Sequence, residues 1–498
     1  MKLVQERKAL NVILFVSLLW SPSLFMSCED DVDKIKNSDE IVTNLTYPIV
    51  DTKQGFCYDN YSQIAGPAEG ESFYGQDAQY TGMQPSYTDN GDSTITDNVT
   101  GLIWTQNVST YSMPWSEASK YCESLTTGGY SDWRLPTIKE LWSIRDFSQG
   151  WPWLDTDYFH LVGDGSDPRQ QHSWSSNRYL VESEYQNEQV VGDPAFIVND
   201  WTGHIKAMSG NRFVRAVRGN TSYGINDFVD NGDATVSDKA TGLMWSQNDN
   251  GEALNWEAAL AYAENATLAG YDDWRLPNAK ELQSIADYSG VFPAINTSVF
   301  NLTQLTNIKG QVDYPFYWTS TSNPYIEALH QEDGSVSTFV PGYTYAWMLA
   351  AGYCTDPAGY DLHGSGALVF DTKAENVSDG SGIEVFYHYV RLVRGGNVTK
   401  TPNGDPSCVN DDRVVSFPEG DVSNGSQGPG QGQGAPDFTP GVTYLQTINI
   451  TVTAEQLVDL IAGPPAPTAS ELVANFKASD LVLTEAQAQA LLDILNLQ

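Results

Sequence analysis

Positive charge is scarce in this chain. Its 498 residues carry 26 Lys and Arg against 63 Asp and Glu, a formal net charge of −37. Such a field repels polyanions, which argues against nucleic acid and anionic lipid head groups as bulk-charge partners. It leaves divalent cations, neutral glycans and proteins. Cysteine is scarce too: there are five, none in a C-x-x-C spacing, so a thiolate zinc site is not expected. Beyond the N-terminal segment no apolar run is long enough to cross a bilayer. The six His are scattered, and no H-E-x-x-H, G-x-S-x-G or Walker-type motif occurs. No carboxylate pair, Asp132 with Glu140 included, is marked out as an acid–base couple. Catalysis is therefore not expected.

Hydrophobic material is ample. Apolar residues make up 41% and aromatics 12%, with 14 Trp and 26 Tyr, which excludes a disordered chain and allows two or three domains.

The chain repeats itself. "YTDNGDSTITDNVTGLIWTQN" from Tyr87 returns as "FVDNGDATVSDKATGLMWSQN" from Phe228, and "YSDWRLPTIKELWSIRDFS" from Tyr130 returns as "YDDWRLPNAKELQSIADYS" from Tyr271, both at an offset of 141 residues. Later come "WSSN" at Trp174 with "WTST" at Trp318, and closing "VRAVRG" at Val214 with "VRLVRG" at Val390. The closing offset is 176, so the second copy carries 35 extra residues in its later half. Two copies of one globular module are expected at about 86–219 and 227–396.

Within each module, "DNGD" beside the short β-rich runs "STIT" and "GLIW" signals a tight turn between strands. "WSEASKYCESL" reads as a helix with Ala118, Tyr121, Cys122 and Leu125 on one face, stopped by Gly128 and Gly129. "WRLP" then turns a corner. Pro136 and Pro277 end the ladder; Thr137 with Glu140, and Asn278 with Glu281, form capping boxes that start a second helix, with Ile138, Leu141 and Ile144 as its buried stripe. Trp133 and Trp274 are expected to anchor the core. Arg134 and Arg275 are expected to pair with a carboxylate, such as Asp132 and Asp273, or with backbone carbonyls.

Two ligand chemistries suggest themselves. Asp89, Asn90, Asp92 and Asp97, repeated as Asp230, Asn231, Asp233 and Asp238, supply the hard oxygens that Ca²⁺ takes, although the spacing is not that of an EF-hand. The same residues also serve a hairpin turn on backbone grounds alone. For a glycan, Trp318 and Trp347, in the Tyr- and Trp-rich later half of the second copy, are candidate sugar contacts, with core packing as the other reading.

The ends have their own character. Lys2, Arg7 and Lys8 precede an apolar stretch from Ala9 to about Trp20, and Ser27 stands before Cys28. This resembles a bacterial lipoprotein signal with Cys28 as the lipidated residue, and the acids Glu29, Asp30 and Asp31 resemble export tags on surface lipoproteins of some Gram-negative bacteria. The expected plan is a signal peptide at 1–27, a tether at 28–45, a leader at 46–85 packing on module one, the two modules, a Gly/Pro-rich linker at 397–441, and a small, mostly helical unit at 442–498. Outside the cytoplasm, Cys57, Cys122, Cys354 and Cys408 permit two disulfides in three connectivities.

The joint occurrence of "DNGD…TGL-W", "WRLP-[TN]-x-x-E-L" and "VR-x-VRG" resembles the Lcl C-terminal domain family, named for a collagen-like bacterial adhesin. "FYGQDAQYTG" at Phe73 also resembles the segment that often precedes such domains. The resemblance implies a C-type-lectin-like α+β fold, two helices and a curled antiparallel sheet in each module, within a superfamily that includes formylglycine-generating enzymes. It implies attachment of a surface lipoprotein to an extracellular glycan or surface protein. The alternatives are a structural or assembly component of the envelope and, less favoured, a formylglycine-generating-like enzyme, for which neither module holds a cysteine pair. Leu392 stands where relatives often have Cys.

Overall fold

The turn residues that punctuate each repeat cut the chain into short elements. The computed structural model describes residues 45–148, 152–162, 171–186, 190, 192–330, 336–355, 359–374 and 386–401, with Lys477 and Thr484. Among these stand 22 strands and four α-helices: α1 (Trp115–Glu123), α2 (Ile138–Ser143), α3 (Trp256–Glu264) and α4 (Ala279–Ser284). None of the described helices is long and apolar enough to cross a membrane. The signal segment with Cys28, most of the tether and linker, Cys408 and the C-terminal unit lie outside the described residues.

Each repeat closes a four-stranded antiparallel sheet. In the first, Tyr87–Asp89, Thr94–Asp97 and Leu102–Thr105 form a meander, and the closing strand Val217–Gly219 returns to lie beside "GLIW", with Val217 opposite Trp104. In the second, Phe228–Asp230, Thr235–Asp238, Leu243–Ser246 and Val393–Gly395 do the same, with Val393 opposite Trp245. The "DNGD" turn joins the first two strands of each sheet. α1 buries Ala118 and Cys122 while Tyr121 and Leu125 pack partly buried on the same core, as its periodicity predicts. Both capping boxes form, and Ile138, Leu141 and Ile144 are buried.

The largest sheet belongs to neither module alone. Its six strands run in the order Phe316–His330, Val336–Ala350, Leu368–Thr372, Ile205–Met208, Ala195–Asn199, His172–Arg178. Three come from each repeat, in mirrored order about a seam where Ile205 pairs antiparallel with Leu368. The arrangement is a pseudo-two-fold. Across it, α2 packs on α4, and the contacts are reciprocal, as in an isologous interface. Trp347 of module two stacks edge-on to Phe147 at 5.6 Å, and its counterpart Phe196 of module one stacks edge-on to Tyr288 at 4.8 Å. Lys139 Nζ donates to the carbonyl of Ser284, the last residue of α4, at 2.7 Å, and Lys280 Nζ donates to the carbonyl of Ser143, the last residue of α2, at 2.9 Å. Each helix end thus receives a cation from the opposite repeat, where the helix dipole favours one. One hydrophobic cluster runs through both repeats, while α1 and α3 each cover a smaller core of their own.

This overturns the expectation of two C-type-lectin-like α+β modules; the small helical unit expected at 442–498 lies outside the described residues. The described residues are mostly β, spread over several small sheets, with no clear C-type-lectin fold. Gly, Asn, Asp and Pro turns keep most strands and all the helices short, and the exposed edge that a separate module would leave is closed by its twin. The extra residues of the second copy lengthen the hairpin Phe316–His330/Val336–Ala350 and the connections on either side of Leu368–Thr372.

The leader also departs from expectation. It begins at the junction, where Tyr47 packs on Tyr223, and it touches module one through Lys53 with Asp146. Most of it then lies on module two. Gln54 exchanges two hydrogen bonds with the backbone of Ser322, Asp77 accepts from Thr321 Oγ1 at 2.6 Å, and Phe73 packs on Trp256. Tyr80–Thr81 pairs with Thr399–Lys400, so the segments before and after the two modules close against each other.

Trp347→Ala should destabilise the protein by about 3–5 kcal/mol, with both repeats unfolding in one calorimetric transition. Two resolved transitions would show independent domains.

Burial holds the Lys280 ammonium down at about 8, whereas an unfolded lysine titrates near ~10.4. Between those values the unfolded chain binds more protons, so this group makes stability rise with pH across the window, and its burial cost is fully present below it. Lys280→Met should therefore flatten the rise in unfolding free energy between about pH 8 and about pH 10, measured by urea titration. An unchanged slope would contradict the assignment.

Candidate functional site

The repeated motifs turn out to be one interlocked scaffold. Trp133 and Trp274 are buried, and their indole N–H groups donate to the carbonyls of Thr127 and Leu268 at 3.1 and 3.2 Å. The carbonyls of Pro136 and Pro277 accept from the N–H of Ser176 and Ser320, tying each corner to its "W-[ST]-S" element. Arg134 and Arg275 do not pair with Asp132 and Asp273. Each grips the capping-box carboxylate bidentately, Arg134 with Glu140 at 2.7 and 2.5 Å and Arg275 with Glu281 at 2.5 and 2.6 Å. Asp132 and Asp273 instead hold Arg218 and Arg394 of the closing motif, whose guanidinium groups lie over Tyr130 and Tyr271. The other closing arginines, Arg215 and Arg391, are fully buried without a carboxylate partner. Each donates to three backbone carbonyls: those of Thr105, Gln106 and His160, and those of Ser246, Gln247 and Asn301.

The "DNGD" residues are spent on their own turns. Asp89 and Asp230 accept from the N–H of Gly91 and Gly232, and Asp92 and Asp233 from the N–H and hydroxyl of Thr94 and Thr235. Asn90 donates to Thr94 and Thr96, and Asn231 to Thr235 and Ser237. Asp97 and Asp238, buried, cap the following turn. These are Asx-turn geometries. Among the described residues no group of three or more His, Cys, Asp or Glu stands together as a metal site.

Trp318 and Trp347 are not sugar contacts at a surface, for both are fully buried. Trp318 donates to the carbonyl of Leu254 at 2.9 Å. Trp347 fills the space among Trp142, Phe147 and Trp153 of the first repeat. Cys57, Cys122 and Cys354 are free, buried thiols rather than members of disulfides, and burial pushes the first two up to about 12.

The concavity lies elsewhere, on module two. An open groove of about 760 Å³ runs between α3 and the loop that follows the strand Leu243–Ser246. Leu254, Ala258, Val390 and Leu392, buried or half-buried, form its apolar base; Asn248, Glu252, Tyr262, Asn265 and Thr267 stand exposed around it. Tyr262 is 40% exposed, and burial together with the nearby Glu252 and Asp249 pushes its phenol up. Asp249 is held in place by the Tyr317 hydroxyl at 2.8 Å and by Thr303. Asn250 accepts from the N–H of Val390 at 2.8 Å, while its buried amide nitrogen has no partner. No Lys, Arg or His lines the groove.

Sequence reasoning singled out none of these residues, because it followed what the repeats share. The signal lay in what they do not share: α3 and the residues just after it present Ala258, Ala261 and Ala266 at the positions where the first copy has Glu117, Lys120 and Leu125.

Glu281→Gln should cost about 3–5 kcal/mol in chemical denaturation, since it leaves the buried Arg275 uncompensated. Asp273→Asn, which breaks an exposed pair, should cost less than about 1 kcal/mol. Equal costs would refute this division.

A search of the curated proteins and a search of the solved structures each found no match. The family profile of the Lcl C-terminal domain matches residues 93–218 and again 234–394, more than half of the chain. The two matches fall on the repeats that share the buried arginine scaffold, and the chain belongs to the Lcl C-terminal domain family, carrying that domain twice in tandem.

Proposed function

We propose that the chain is an exported lipoprotein, anchored through Cys28 at the surface of a Gram-negative outer membrane, that binds an extracellular glycan in adhesion. The observation that carries the reading is the groove of module two. An exposed aromatic ring beside planar amides and carboxylates suits a saccharide, because the ring packs on the apolar face of a sugar while amides and acids bond its hydroxyls. The groove is open, as a site for a segment of a chain-like ligand needs to be. The signal-like N-terminus and the acidic stretch after Cys28 support the location. Calcium has no part in this reading, in which the "DNGD" side chains shape their own turns.

Full-length protein on a glycan array, with calcium and then with chelator, should give saturable binding that chelation leaves unchanged. Loss of binding in chelator would return the "DNGD" turns to the ligand site. No binding in either condition would refute the glycan reading.

A further inference from the structure

We propose that recognition is confined to the second module, and that its groove takes a saccharide free of acidic groups, one per chain. This rests on the glycan-binding reading above. The two repeats align without a gap from the "DNGD" turn through α1 and α3, so equivalent positions can be compared directly. The place of Glu252 is held in module one by Tyr111, whose ring stands edge-on to Tyr121, the counterpart of Tyr262, at 6.1 Å. Ala266 is replaced there by Leu125, which packs on that module's own core. Ala258 and Ala261 give way to Glu117 and Lys120. Each of these four exchanges sets a larger side chain in module one against a smaller one in module two. The first module carries larger side chains at these four positions, where the second has an open groove.

The exchanges also change the charge. Asp249 stands where module one has Val108, Glu252 where it has Tyr111, and Ala261 where it has Lys120. With Glu117 of module one replaced by Ala258, these positions go from one carboxylate and one cation in module one to two carboxylates and no cation in module two. A sulfate or carboxylate on the ligand would meet like charge at short range, with no basic side chain lining the groove to offset it. Each such group should weaken binding on the order of tenfold.

The test uses full-length protein on an array of neutral, amine-bearing and sulfated oligosaccharides of matched length, followed by calorimetric titration of the strongest hit. Neutral or amine-bearing members should lead, at one site per chain, with sulfated members at least about tenfold weaker. Ala261→Trp, placed on an exposed helical position, should lower affinity at least about tenfold without lowering the melting temperature, while Lys120→Trp at the equivalent position of module one should change neither. Glu252→Gln should weaken amine-bearing ligands more than neutral ones. Two sites per chain, a sulfated ligand in the lead, or indifference to Ala261→Trp would overturn this proposal and leave glycan binding standing. The absence of any binding would overturn both.

Discussion

The closure of one strand edge by another, Ile205 opposite Leu368, is the constraint on which this architecture depends. Each repeat alone would end its share of the large sheet at an unpaired edge, with the aromatic residues beneath it uncovered. Joining the edges resolves both problems at once. It brings Trp347 over Phe147 and Phe196 over Tyr288, and it sets α2 against α4 so that each receives a lysine at its C-terminal carbonyls. The two copies therefore behave as the halves of an internal dimer, and the main core belongs to both.

Inside each half, buried charge is met by specific partners. Arg275 lies in the interior because Glu281 meets it with two short hydrogen bonds, and the same Glu281 also accepts the N–H of Asn278 in the capping box. One carboxylate thus starts a helix and neutralises a guanidinium. Arg215 and Arg391 follow another rule, using the planar fork of Arg to satisfy three carbonyls each where chain segments leave their sheets. These repeated, charged, motif-bearing residues hold the fold together. Common to both modules, they spend their hydrogen bonds within the fold.

Duplication then allows the halves to differ where packing does not restrain them. The outer face of the first-module helix carries Glu117 and Lys120 and lies beside Tyr111; the second has alanines there and an open groove. Such a difference in surface side chains requires no change in the shared core.

Much of the fold was legible from local chemistry. The offset between copies, the capping boxes at Thr137 and Asn278, the buried stripe of Ile138, Leu141 and Ile144, and the turn character of "DNGD" all rest on interactions within a few residues of chain, and pattern reports these well. Partnerships across the chain were not legible. That Arg134 reaches Glu140 while Asp132 reaches Arg218, that Trp318 and Trp347 are interior, that the leader lies mostly on module two, and that Cys57, Cys122 and Cys354 stay unpaired depend on which segments meet. The groove was hidden for the same reason, since a cavity is made by side chains that are missing from a surface only tertiary packing creates. The sequence by itself determined the repeated unit, its turns and its helix starts, because short-range hydrogen bonds and burial periodicity decide them. The tertiary structure alone decided that two units share one sheet and one core, because edge pairing and aromatic burial are settled only between segments far apart in the chain.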